Sequence, residues 1–274
     1  MCLGATVSLR IEVKSWDDDV RVKRQATAQR VVSEFGDRLP NLRLLVFFDD
    51  EDWSYFRYEL GPSNRGLYTP IKSNFQWGTW PHYVKEHILV SDPSTLRPRQ
   101  EVDHVIYVHG TTCADEVGLT MTFSHELQHF VQYGFNRKLW AENFLLPRLP
   151  KDVIDSTGLN WPDIPNEREA RIVAKRIGRS LCGEDAVSQY IARKIGESDT
   201  SRDAEDWRFS QGVDPFSSYD LAGETKRIFQ KLEPYRQHFD AFLAKMRDDV
   251  DFRDIDLSEY FNEPRFRDEA RGFD

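Results

Sequence analysis

His125, Glu126 and His129 are the residues whose types and spacing could do chemistry together. They stand in the run Thr122-Phe123-Ser124-His125-Glu126-Leu127-Gln128-His129-Phe130. On a helix, residues four apart share a face, so both imidazoles can turn a ring nitrogen toward one divalent ion. Glu126 then sits beside that face, within reach of a water held at the ion, where a carboxylate acts as general base. A chance match to this pattern in a chain of this length is on the order of one in a hundred, so its surroundings have to decide.

The surroundings agree with a site. Placed around a helix, Leu119, Phe123, Leu127, Phe130 and Val131 fall on one side, while His125 and His129 point nearly opposite. Such a helix packs its apolar side on a sheet and lines a cleft with the other. The plainer alternative is a solvated face that happens to carry two histidines.

Catalytic zinc takes three protein ligands and keeps one position for water. The longer motif HExxHxxGxxH fails here, because Gln132 stands at the glycine and Phe135 at the third histidine. The third ligand is therefore expected further on, as a carboxylate, in Pro165-Asn166-Glu167-Arg168-Glu169-Ala170-Arg171. Asn166 reads as a helix N-cap and Glu169 as its capping-box partner. Ala170, Val173, Ala174, Ile177 and Leu181 form the buried stripe of that helix, and Glu167 lies at its margin. A carboxylate at such a border is costly unless something positive pairs with it. Glu167 is the expected ligand and Glu169 the alternative; the helix dipole alone also favours an acid in the first turn.

His-Glu-Leu-Gln-His on a helix after a strand, followed by Asn-Glu-x-x-Ala on a later helix, resembles the gluzincin branch of the HExxH zincin metallopeptidases. Thermolysin-like and minimal bacterial ImmA/IrrE-type peptidases belong to that branch. The resemblance covers about residues 7–181, with the HExxH as its specific part. It implies a zinc endopeptidase with His125, His129 and Glu167 as metal ligands and Glu126 as general base. In that chemistry Glu126 takes a proton from the zinc-activated water and passes it to the leaving amine. It also implies that the strand at about 104–109 pairs with an extended protein or peptide substrate. Arg171 departs from the pattern: many relatives carry an Asp there that supports a zinc histidine, so a different partner has to orient His125 or His129. An oxyanion donor is expected too. Tyr190, Tyr219 and His238 are candidates, each with a structural role as the commoner alternative. His104 and His109 could line the cleft, and His82 and His87 carry no motif.

The elements that must position these residues read as an α+β, zincin-like fold: a twisted mixed sheet with the active-site helix, then a mainly helical half. Val7, Leu9, Ile11 and Val13 alternate as in a strand, and Asp17–Asp19 can cap a helix to Phe35 with Gly36 as its stop. Residues 42–48 read as a buried strand ending in the acidic turn 49–52. The aromatic stretch 53–80 reads as a hairpin or irregular strands, and 87–90 and 104–108 as short strands. The HExxH helix is expected over 119–133. Four prolines make 147–165 a loop-like connection. Helices follow at about 167–181 and 185–195, then a polar linker at 197–211, then helices at 221–232 and 235–247 around Pro234. Two domains are expected: 1–135, α+β, and 136–274, mainly helical and carrying the third ligand.

Composition bounds the function class. Hydrophobic residues make up 39% and charged residues 30% of the 274 residues, which fits a folded globular chain. A net charge of -9 argues against nucleic acid as the main partner. Three scattered cysteines make no disulfide framework, and with no basic leader, myristoylation pattern or long apolar run, a cytoplasmic protein away from membranes is expected. The acidic run 49–52 reads as a solvated turn rather than a cation site. Two rival functions remain open: an inactive zincin-like binding module with a structural zinc, and zinc hydrolysis of a non-peptide bond. Oligomeric state is not legible.

Overall fold

The computed structural model describes residues 9–14, 17–49, 66–70, 103–198 and 200–261. Within them the protein is α+β: a small four-stranded mixed sheet and many helices. The expected strand at 87–90, most of 53–80, residues 50–52 of the acidic run, and His82 and His87 lie outside the described residues.

The described residues fall into two compact units, one within 1–135 and 168–217, the other within 136–167 and 218–274. The units are thus interleaved along the chain.

The first unit begins with β1 (Leu9–Lys14), α1 (Asp18–Phe35) and β2 (Leu44–Asp49). Asp17 caps α1 by accepting from the backbone N–H of Asp19 and Val20, and Gly36 ends it at a φ of 49°. β3 (Gly66–Pro70) and β4 (His104–His109) complete the sheet in the order β1-β2-β4-β3. β1, β2 and β4 run parallel, while β3 is antiparallel to β4, with Gly66 opposite Val108 and Pro70 opposite His104. Leu44, Leu45, Val46 and Phe48 on β2, and Val105 to Val108 on β4, are all buried. Continuous apolar runs of this kind belong to interior strands covered on both faces.

β4 therefore cannot be the strand that pairs with substrate, because both of its edges are taken by β2 and β3. Among the described residues β3 is the edge strand beside it. Pro70 suits that place, since an edge strand tolerates a missing N–H donor.

After the short α2 (Gly110–Cys113) comes α3 (Glu116–Phe135), which carries the HExxH. It starts where Asp115 accepts from the N–H of Val117 and Gly118. Leu119, Phe123, Leu127 and Phe130 are buried, and Phe123 meets Phe48 edge-on at 5.2 Å, so the expected apolar side does pack on the sheet. α6 (Pro165–Cys182) lies along α3; Gly178 permits this, as a Cβ there would stand 3.0 Å from Met121 Cγ. α7 (Glu184–Glu197) and α8 (Ser201–Gly212) finish the unit.

The expected linker at 197–211 is thus a helix. Ala204 and Trp207, three residues apart, share a buried face, and Thr200 caps the helix. Tertiary packing of that narrow stripe, with Trp207 against Tyr190, outweighs its polar composition.

The second unit contains α4 (Arg137–Leu145), α5 (Lys151–Thr157), α9 (Leu221–Lys231), α10 (Arg236–Lys245) and α11 (Ser258–Phe261). The expected loop at 147–165 holds α5 and two 3-10 turns, Leu146–Arg148 and Trp161–Asp163. Its prolines start helical turns instead of breaking them: Pro150 is the N-cap of α5, and Pro147 and Pro162 stand in first-turn positions. No described helix is long and apolar enough to cross a membrane.

Candidate metal centre

α3 and α6 build the site. The boundary between the units crosses the first turn of α6, after Glu167, so this residue rides on a continuous helix whose remaining length belongs with α3. One ligand atom each from His125, His129 and Glu167 lie within 4.8 Å of one another. This is the only such group of three among the described residues. His129 and Glu167 are buried and His125 is half-buried. Glu126, also buried, is their neighbour on α3.

The two Nε2 atoms of His125 and His129 stand 3.1 Å apart. The tautomer of His129 follows from its own partners. Gln132 Nε2 donates to Glu169 Oε2 at 2.8 Å, which turns its carbonyl Oε1 to His129 Nδ1 at 2.8 Å. An amide oxygen only accepts, so His129 carries its proton on Nδ1 and presents a lone pair at Nε2. That lone pair, the neighbouring imidazole and the Glu167 carboxylate converge within 4.8 Å of one another. Two imidazole nitrogens and one carboxylate are also the donor set that suits a catalytic zinc. The residues present fit the metal.

Glu169 is not part of the group of three. Its Oε2 accepts from Gln132 and, at 3.0 Å, from Gln128 Nε2. The capping-box role expected of it is not realised either, because α6 starts two residues earlier than an N-cap at Asn166 requires, with Pro165 already in the first turn. The Asn166 N–H is instead received by Asn143 Oδ1 at 3.3 Å. Asn143, fully buried, spends its amide on Leu139 O and Thr225 Oγ1, both at 2.9 Å, and so fixes the turn from which Glu167 projects.

Arg171 pairs with Asp206 at 2.5 Å and ties α6 to α8. The partner of His129 is Gln132, the same residue that interrupts the longer motif. Its signal in the sequence was there, a polar amide one turn after His129, but without a known position for Glu169 it had no meaning.

Glycine at position 66 sets the roof. A Cβ there would stand 2.8 Å from both Cγ and Oε1 of Glu126 and 2.9 Å from Thr122 Cγ2. β3 can pass this close over the general-base candidate only because residue 66 has no side chain.

Tyr190 is buried with Met121, Val187, Ile191 and Trp207 in the helical core, a packing role. Tyr219 and His238 belong to the second unit. His104 is buried rather than lining a cleft: its Nδ1 meets Tyr68 Oη at 2.9 Å, and its ring packs edge-on against Phe130 and Tyr133. The side chain of His109 lies outside the described residues.

The chain matches no protein-family model, no curated protein and no solved structure.

Proposed function

We propose that this chain is a zinc-dependent metallopeptidase of zincin-like architecture, with His125, His129 and Glu167 as the metal ligands and Glu126 as the general base. The observation that carries the reading is the convergence of those three ligand atoms within 4.8 Å beside a buried glutamate on the same helix. Zinc bound there supplies a positive charge that acidifies water and polarises a carbonyl. Glu126 takes the proton from the attacking water and delivers it to the leaving amine nitrogen. A purely structural metal site has no use for a base in that position, which favours the enzyme over the binding module.

Peptide as the substrate class is supported by β3, the edge strand among the described residues, which runs directly over Glu126. An extended chain laid along such an edge has its backbone groups met by those of the strand. A cytoplasmic setting belongs to the proposal as well; Cys113 and Cys182, which form no disulfide among the described residues, support it.

Metal analysis of the purified protein and cleavage of a peptide library test the reading together. Wild type should hold one zinc, lost in His125→Ala, and should cleave peptides. Glu126→Gln should keep the zinc and lose about 10²–10⁴-fold in turnover. Zinc retained with no difference between wild type and Glu126→Gln would leave a structural metal site and end the peptidase proposal.

A further inference from the structure

The contacts of Gln132 reach beyond the ligand set. It is buried on α3 and sits in the middle of a chain of hydrogen bonds: Gln128 and Gln132 amide groups donate to Glu169 Oε2, and Gln132 Oε1 receives the Nδ1 proton of His129. Each polarity in this chain is dictated by the next. A carboxylate oxygen accepts, so the Gln132 nitrogen must face Glu169; its oxygen then faces the imidazole, and the imidazole must answer with a proton. A glutamine on its own could flip and offer His129 either end. Glu169 removes that freedom.

We propose that Gln132 and Glu169 form a positioning relay that fixes the tautomer and ring plane of His129, so that its Nε2 lone pair faces the site before any metal arrives. The inference rests on the zinc reading for its purpose but not for its geometry. It accounts for Arg171 standing where a direct carboxylate support is absent: the acid has moved to the same helix two residues earlier and acts through an interposed amide. Glu169 and Gln132 touch no reacting atom in this scheme and are positioning residues, not catalytic ones.

The decisive measurement is the protonation pattern of the His129 ring in metal-free protein labelled with ¹⁵N-histidine, read at a pH where imidazole is neutral and assigned by its loss in His129→Asn. Wild type should show the proton on Nδ1. In Gln132→Leu that preference should fall away, and zinc affinity, measured against a competing chelator, should weaken about 10–100-fold. The exchanged pair Gln132→Glu with Glu169→Gln is the rescue. A carboxylate at 132 accepts the Nδ1 proton, and the amide at 169 donates to it, so every polarity toward His129 is restored.

Tautomer and affinity should both recover in that double variant, whereas Glu169→Gln alone, which frees the Gln132 amide to flip, should not match wild type. A wild-type proton on Nε2, a Gln132→Leu protein with unchanged tautomer and affinity, or a double variant no better than Gln132→Leu each overturns the relay. Wild-type protein that binds no zinc yet keeps the Gln132-dependent tautomer would sink the metal reading and leave the relay standing.

Discussion

Glu169 in the first unit and Glu142 in the second are both carboxylates enclosed by helices, yet they meet different donors. One oxygen of Glu169 accepts from two side-chain amides, Gln128 at 3.0 Å and Gln132 at 2.8 Å. Glu142, on α4, is 1% exposed and receives the Tyr260 hydroxyl on Oε2 at 2.6 Å. Its Oε1 has no hydrogen-bond partner, the Lys138 ammonium standing off at 3.7 Å. Burial pushes the Glu142 carboxyl up, and the hydroxyl and the ammonium offset this only in part. A half-buried carboxylate fed by two amides is thus an organising element, while a fully buried one with a single close donor is a standing cost. Burial and donor supply together separate the two.

The sharpest test of that contrast uses the residue next to Glu142. Asn143 uses both ends of its amide, in three hydrogen bonds, and is 0% exposed. Asn143→Ala removes all three bonds, so it should cost about 3 kcal/mol in urea unfolding, at about 1 kcal/mol per bond. Because Asn166 precedes Glu167, zinc affinity should fall with it. A variant as stable as wild type would mean that satisfied amides do not hold this part of the molecule.

In the first unit, Gly66→Ala probes the other side of the site. The added methyl cannot occupy its place without displacing Glu126 or Thr122. A shift of about 1 Å in a catalytic group costs on the order of 100-fold, so kcat/KM should drop by about that factor. Zinc content should stay unchanged, since the ligands do not touch residue 66 in this scheme. Loss of zinc instead would show that β3 braces the ligands and not the base.

Tyr260→Phe comes next in size. It removes the hydroxyl on which Glu142 depends and leaves a carboxylate with no close donor, a loss of about 1–3 kcal/mol. Hydrogen exchange should place the weakening in α4 and α9 to α11 and leave the sheet protected. A uniform loss across both units would break the comparison, because the two regions would then unfold as one.

How much of this was legible beforehand follows the physics of each element. Helix α1 could be read nearly to the residue because its stop signals are local: Asp17 offers its own side chain to the first N–H groups and Gly36 adopts a backbone that other residues avoid. The HExxH helix and the buried stripe of α6 were legible for the same reason, as both write their packing into a periodic pattern. α8 was not, because its stability comes from Trp207 meeting Tyr190, a contact between distant segments. Gln132 was seen only as a break in a longer motif. Its meaning lies in Glu169, 37 residues away, and no local rule couples them. The position of β4 inside the sheet was likewise hidden, since pairing partners are chosen by topology and not by the strand's own residues.

The smallest effect is one of sign, and it sets the two units against each other. In the first unit, hydrogen bonds from the Arg43 guanidinium hold the Asp103 carboxyl below the usual range. A lowered acid contributes stability above its ordinary value and loses it as pH falls through its folded value. Glu142 runs the other way. Its folded value is raised, so the favourable balance is complete below the ordinary glutamate value of 4.5 and is lost as pH rises through the folded one. Glu142→Gln removes that titration while keeping an oxygen for Tyr260. Urea midpoints of wild type and variant, taken from acid to neutral pH, should therefore diverge as pH rises, with the variant gaining. Asp103→Asn should diverge in the opposite direction, with wild type gaining over the same range. If the Glu142→Gln difference is flat with pH, or favours wild type at neutrality, then the Lys138 ammonium compensates the buried charge in full, and the contrast between the two carboxylates reduces to one of position.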